Sequence, residues 1–100
     1  MTRAIRISEP AAEELSEAVR WYEARRGGLG GEFFDAVVTT LGLIASHPEI
    51  GARELSAART RRVLVSRFPY QVVYRLSESE LVVVAVAHSK RRPGYWKHRR

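Results

Sequence analysis

The sequence contains no cysteine, which excludes disulfides, thiolate metal sites and cysteine nucleophiles. Long apolar runs are missing as well. The longest, Leu81 to Ala87, is far too short to span a membrane. No apolar stretch follows Arg3 and Arg6, so no secretory signal is expected. The histidines, His47, His88 and His98, are scattered and lack metal-ligand spacing, so neither a metal nor a cofactor is expected. Repeats, linkers and low-complexity segments are absent too. What remains is globular composition: 100 residues, of which 45% are hydrophobic, 9% aromatic and 28% charged. A chain of this length buries roughly two thirds of its unfolded surface, enough for one core. A single cytoplasmic domain over residues 1–100, with no membrane partner, is the expectation.

Acidic residues are scarce in the second half. Residues 53–100 hold ten Arg and two Lys against three Glu, a balance of +9. Residues 1–52 hold five Arg against seven Glu and one Asp, a balance of −3, and the halves together give the net +6. Most of the cations are Arg, whose planar fork matches phosphate and carboxylate. Such asymmetry suits a polyanionic partner or an acidic protein partner, and equally a solvated surface with an Arg bias.

Arg3 to Ile7 alternates, with Ile5 and Ile7 on one face, and reads as a first strand. Ser8 stands at a helix N-cap position, with Glu9 and Pro10 in the first turn. Ala12, Leu15, Val19 and Tyr22 then recur at helical spacing beside Ala18 and Trp21, while Glu13, Glu14, Glu17 and Arg20 fall mostly opposite. Gly27 and Gly28 stop this helix. A second starts near Glu32 with a wide stripe of Phe33, Phe34, Val37, Val38, Leu41, Ile44 and Ala45, and His47-Pro48 ends it. The short connection makes the pair an antiparallel hairpin.

Residues 49–60 show no period and read as a loop. From Arg61 the period is two: Val63 and Val65 alternate with Arg62 and Leu64, and Tyr70, Val72 and Tyr74 with Gln71, Val73 and Arg75. Phe68-Pro69 marks a turn or edge irregularity between them. After Ser77-Glu78-Ser79, the run Leu81–Ala87 suits a central strand covered on both faces. The tail, His88 to Arg100, is basic and carries Tyr95 and Trp96. The expected fold is α+β, in the order β-α-α-β-β-β, with the helical hairpin on a mostly antiparallel four-stranded sheet.

Bland roles weigh against functional ones at several positions. His88 serves either as an acid–base group or, as its position at a strand end favours, as an imidazole bonded to a backbone carbonyl. His47 suits a helix C-terminus. Gly27 to Gly31 follows a helix and lacks a Lys-Ser/Thr successor, so it reads as the hairpin turn and not a phosphate loop. Arg61, Arg62 and Arg67 either line a site for a polyanion or an acidic partner or protect a sheet edge. Tyr70 and Tyr74 read as core. Tyr95 and Trp96 either stack on a partner or pin the tail to the sheet, and pinning is favoured.

Further residues carry a resemblance across nearly the whole chain: Ala11-Ala12-Glu13-Glu14-Leu15, Trp21-Tyr22-Glu23, Gly28-Leu29-Gly30, Phe33, His47-Pro48 and Gly51, then Arg62, Phe68-Pro69-Tyr70 and Val73-Tyr74, and finally Ala85-Val86-Ala87-His88, Arg91, Arg92, Pro93 and Tyr95-Trp96. In combined order they resemble the RelE/ParE superfamily of type II toxin–antitoxin toxins, closer to the ParE-like, plasmid-stabilisation branch. The resemblance implies one of two activities. RelE-like members are ribosome-dependent mRNA interferases, whereas ParE-like members poison DNA gyrase without cutting nucleic acid. Cutting RNA through its 2′-hydroxyl needs a base, cations for the phosphate and an acid. Arg62 and Tyr95 match interferase positions, but Leu64, Gln71 and Ser89 stand where RelE-like members carry catalytic cations. An interferase reading would rest on Arg62, His88, Arg91 and Tyr95.

The expectation is therefore a ParE-like toxin that inhibits gyrase by protein binding and is neutralised by a cognate antitoxin. The endoribonuclease is the alternative, and a fold that keeps only its antitoxin or repressor-complex role is a third. The resemblance implies that the antitoxin has a disordered, acidic C-terminal segment. Its expected contacts are Leu15, Val19, Trp21, Tyr22, Arg61, Arg62 and Arg67. Expected target contacts are Arg91, Arg92, Tyr95 and Trp96.

Overall fold

The computed structural model describes residues 4–54, 57 and 59–99. Arg3 of the expected first strand, Leu55, Ser56 and Ala58 of the expected loop, and Arg100 of the tail lie outside the described residues. The elements are β1 (Ala4–Ile7), α1 (Glu9–Arg25), α2 (Leu29–Ser46), β2 (Ala52–Arg53), β3 (Thr60–Leu64), β4 (Tyr70–Leu76) and β5 (Glu80–His88).

The start of α1 is set by local chemistry. Ser8 Oγ accepts the Ala11 N–H at 3.3 Å, which satisfies one of the helix's orphan donors, and Pro10 fits the first turn. α2 begins at Leu29, earlier than the expected Glu32, because α1 caps it. The Glu23 carboxylate accepts the N–H of Gly28 at 2.9 Å and of Gly30 at 3.0 Å. Gly28 takes φ +91, a conformation open to glycine, and so lets the chain reverse within a few residues. The helices meet at their backbones: a Cβ on Gly30 would lie 2.6 Å from the Val19 carbonyl oxygen.

The sheet has five strands in the order β1-β5-β4-β3-β2, one more than the four expected. β1 pairs in parallel with β5, and the other neighbours are antiparallel. The extra strand lies in the segment expected to be a loop, where Ala52 and Arg53 pair with Arg62 and Arg61. Two residues have no period to read. Side chains from the sheet hold this segment in place. Tyr74 Oη donates to the Pro48 carbonyl at 2.7 Å and accepts the Gly51 N–H at 3.0 Å. Arg61 donates to the carbonyls of Glu49 and Gly51, at 3.0 and 2.9 Å.

β5 is central and covered on both faces, as its continuous apolar run implied. The ladder passes from Val73–Ala85 to Tyr74–Val83, leaving Val84 as the extra residue of a bulge. The bulge resets the alternation. Leu81, Val83 and Val86 join Phe33, Val37, Ile44, Val72 and Tyr74 in the core beneath the helices. Val84, Ala85 and Ala87 join Val73 and Trp96 on the opposite face, where the C-terminal tail supplies the cover. β1 reaches only to Val83, so the rest of β5 has no strand on that side.

Candidate functional site

The uncovered stretch of β5 is satisfied by one carboxylate and one guanidinium. Glu14, on α1, accepts the Val86 N–H at 3.1 Å, and Arg99 Nη1 donates to the Val84 carbonyl at 3.1 Å. The same carboxylate holds the tail. It accepts from Tyr95 Oη at 2.7 Å and from Arg99 Nη1 at 2.8 Å, and pairs with Arg91 Nη1 at 3.4 Å. Its side chain is only 13% exposed. Burial pushes the Tyr95 phenol pKa up, and the hydrogen bond to Glu14 adds to the shift. Arg91 lies over the Tyr95 ring at 3.7 Å and Arg99 at 4.9 Å from its centroid. From β4, Arg75 donates to the Lys97 carbonyl at 2.9 Å and to that of Arg99.

Sequence reasoning missed Glu14 by grouping it with Glu13, Glu17 and Arg20 on a polar side. The available signal was its spacing. Glu14 stands three residues after Ala11 and four before Ala18, both buried, and so borders the packed face.

Next to this latch, between α1 and the ends of β4 and β5, runs a groove of about 510 Å³. Tyr22, Tyr70 and His88, all half-buried, line it together with Pro69. Trp21, 53% exposed, and Arg91 stand on its border. Arg25 sits over the Trp21 indole at 4.0 Å. Tyr22 packs on Phe68 with ring centroids 5.0 Å apart, and Arg67 lies over Phe68 at 5.5 Å. Burial raises the phenol pKa values of Tyr22 and Tyr70. The strand-end position of His88 suggested a bond from its imidazole to a backbone carbonyl, but among the described residues it makes none. Its Nδ1 accepts the Lys90 N–H at 3.0 Å.

The expected antitoxin contacts divide. Leu15, Val19 and Tyr22 are half-buried against the main core and spend most of their apolar surface holding α1 down. Of the four apolar members of the set, Trp21 alone is open. Arg67 lies over Phe68 and pairs with Glu32 at 2.9 Å. Arg61 and Arg62 point to opposite faces of β3, because strand side chains alternate. Arg61 is taken up by the carbonyls after α2, and Arg62 pairs with Glu54 at 2.7 Å. Neither lies on the groove.

Of the interferase set, His88, Arg91 and Tyr95 gather at the end of β5, but Arg62 is two strands away. Arg62 shares its face with Leu64, 71% exposed, and with Leu64's cross-strand partner Gln71. Arg75 is a second cation on that face, but its guanidinium is taken up by the carbonyls of Lys97 and Arg99, and Leu64 and Gln71 add no charge where the interferase pattern needs it. Ser89, the third substituted position, donates its N–H to the Pro69 carbonyl at 2.8 Å. Of the expected target contacts, Arg91 and Arg92 are exposed and Tyr95 is half-buried. Trp96 is 3% exposed and packs on Val73, Val84, Ala85 and Ala87, so its indole pins the tail and offers no surface. Among the described residues no three His, Cys, Asp or Glu side chains gather as a metal site.

This fold has a solved counterpart. The chain is similar to one from a chromosomal ParDE toxin–antitoxin system of P. aeruginosa, with a TM-score of 0.78 and 15% identity over 89% of this chain and 98% of that one. Curated protein sequences give no match. The family model for the ParE toxin of the type II toxin–antitoxin system, parDE, matches residues 5–93, a span running from β1 through every element into the tail. The chain therefore belongs to the ParE toxin family of type II toxin–antitoxin systems.

Proposed function

We propose that the protein is a cytoplasmic toxin that acts by binding DNA gyrase and is neutralised by a cognate antitoxin whose acidic segment lies along the α1 groove. The observation that carries the antitoxin part is the exposed Trp21, with Arg25 over its indole, beside an aromatic groove lined by Arg91. An amphipathic segment gains affinity by desolvating aromatics and gains register from cations around them. Phe34 and Val38, exposed one turn apart on α2, supply a second apolar strip for the same partner. Binding, and not catalysis, suits the open sheet face, where Leu64 and Gln71 cannot stabilise a phosphate.

A supercoiling assay with purified gyrase, run beside a translation assay on purified ribosomes, tests the target. Inhibited supercoiling with intact translation is expected. Codon-dependent mRNA cleavage would instead promote the endoribonuclease, whose one supporting observation is the gathering of His88, Arg91 and Tyr95.

A further inference from the structure

Residues 88–99 contain Lys90, Arg91, Arg92, Lys97 and Arg99 and no acid. Glu14, reaching over from α1, engages Arg91 and Arg99. Lys90, Arg92 and Lys97 are exposed and have no ion-pair partner among the described residues. Their platform is braced by hydrogen bonds. The Arg91 N–H bonds the His88 carbonyl at 3.0 Å, the Lys97 N–H bonds that of Gly94 at 3.0 Å, and Arg75 clasps the carbonyls beyond. Lys97 folds back over this turn: a Cβ on Gly94 would lie 2.8 Å from Lys97 Cε. The ammonium lies over Gly94, 3.5 Å from the same Cβ position.

The aromatics of this segment are out of reach. Trp96 is in the core, and Arg91 and Arg99 lie over the Tyr95 ring. Stacking on an unpaired base, which single-strand binders use, is therefore unavailable here. An acidic peptide would also find no exposed apolar anchor between the cations, and such anchors carry most of a protein–protein affinity. Regularly spaced phosphates need neither. We propose that the tail from Lys90 to Lys97 binds the phosphate backbone of duplex DNA through Lys90, Arg92 and Lys97. This site lies outside the groove and does not rest on the gyrase reading, since it is measured with no protein partner present.

The probe is a fluorescent 20-base-pair DNA duplex, titrated with the full chain between about 50 and 300 mM NaCl. Each neutralised phosphate adds about 0.9 to the slope of log affinity against log salt. Replacing Lys90, Arg92 and Lys97 together by Ala should therefore flatten the slope by about 2–3. Arg20→Ala, on the outer side of α1, should leave it unchanged. All three positions are exposed, so circular dichroism melts of the variants should match the parent. Absence of binding at 50 mM NaCl, or an unchanged slope in the triple variant, overturns the site. Binding of a polyglutamate peptide as tight as that of the duplex overturns it too, by making the tail a surface for acidic protein.

Discussion

Glu14 closes two gaps with one carboxylate, the bare N–H of Val86 and the anchorage of Tyr95, Arg91 and Arg99. Breaking a buried pair costs more than the pair contributes, because the remaining partners are stranded. The Arg91 link is exposed and adds little. Val86, Tyr95 and Arg99 dominate, and Glu14→Ala should lower unfolding stability by about 2–3 kcal/mol in urea titrations. Glu14→Gln, which keeps two of the acceptor contacts, should cost less. A loss below about 0.5 kcal/mol for Glu14→Ala would mean the latch is ornamental. Trp21 makes the opposite case. Its exposure means Trp21→Ala should stay folded and raise the antitoxin's dissociation rate more than Arg62→Ala, since Arg62 is paired with Glu54 on another face. Equal dissociation rates for a folded Trp21→Ala and the parent would place the partner elsewhere. Residue identity shows neither difference. Arg61 and Arg62 look alike in the sequence and face opposite ways, and Glu14 looks like its solvated neighbours.

Elements with a strong local cause were legible: Ser8 and Pro10 start α1, His47-Pro48 ends α2, and the Leu81–Ala87 run is the covered central strand. Features set by distant partners were not. The β5 bulge shifts which valines face the helices, and an unbroken apolar run carries no trace of it. β2 exists because Tyr74 and Arg61 hold the backbone around Gly51. The start of α2 depends on Glu23, in the preceding helix. The helical hairpin allows a paired test of this tertiary control. Gly31 has open space around its Cβ position, so Gly31→Ala should stabilise by about 0.5–1 kcal/mol through helix propensity. Gly30→Ala would drive a methyl into the Val19 carbonyl, and overpacking against backbone should cost about 1–3 kcal/mol despite the same propensity gain. Thermal melts of the two variants should move in opposite directions. Parallel shifts would mean that the helices separate easily at this crossing.

At the scale of the whole molecule, the tyrosines tie stability to alkaline pH. Burial raises the pKa of Tyr22, Tyr70, Tyr74 and Tyr95, with Glu14 adding to the shift at Tyr95. A phenol whose folded pKa exceeds its unfolded value near 10 favours the folded state while protonated. That contribution is complete below about pH 10 and is lost as pH climbs toward the folded values. Overall charge works the other way. The chain carries +6 at neutral pH, and deprotonating its two lysines while ionising its four tyrosines removes that excess, easing self-repulsion. Glu32 acts at the other end of the scale. Its pKa is lowered chiefly by the hydrogen bond from Arg67, so its help fades as pH falls through the carboxylate range, and its exposure keeps that help small. The urea midpoint should therefore hold steady from about pH 6 to 9 and drop between about pH 10 and 11.5, although net charge is then approaching zero. Tyr95→Phe, which removes one raised phenol, should begin from a lower midpoint and fall less steeply over the same interval. A midpoint that stays flat or rises above pH 10 would show that self-repulsion, and not the buried phenols, governs the alkaline limit.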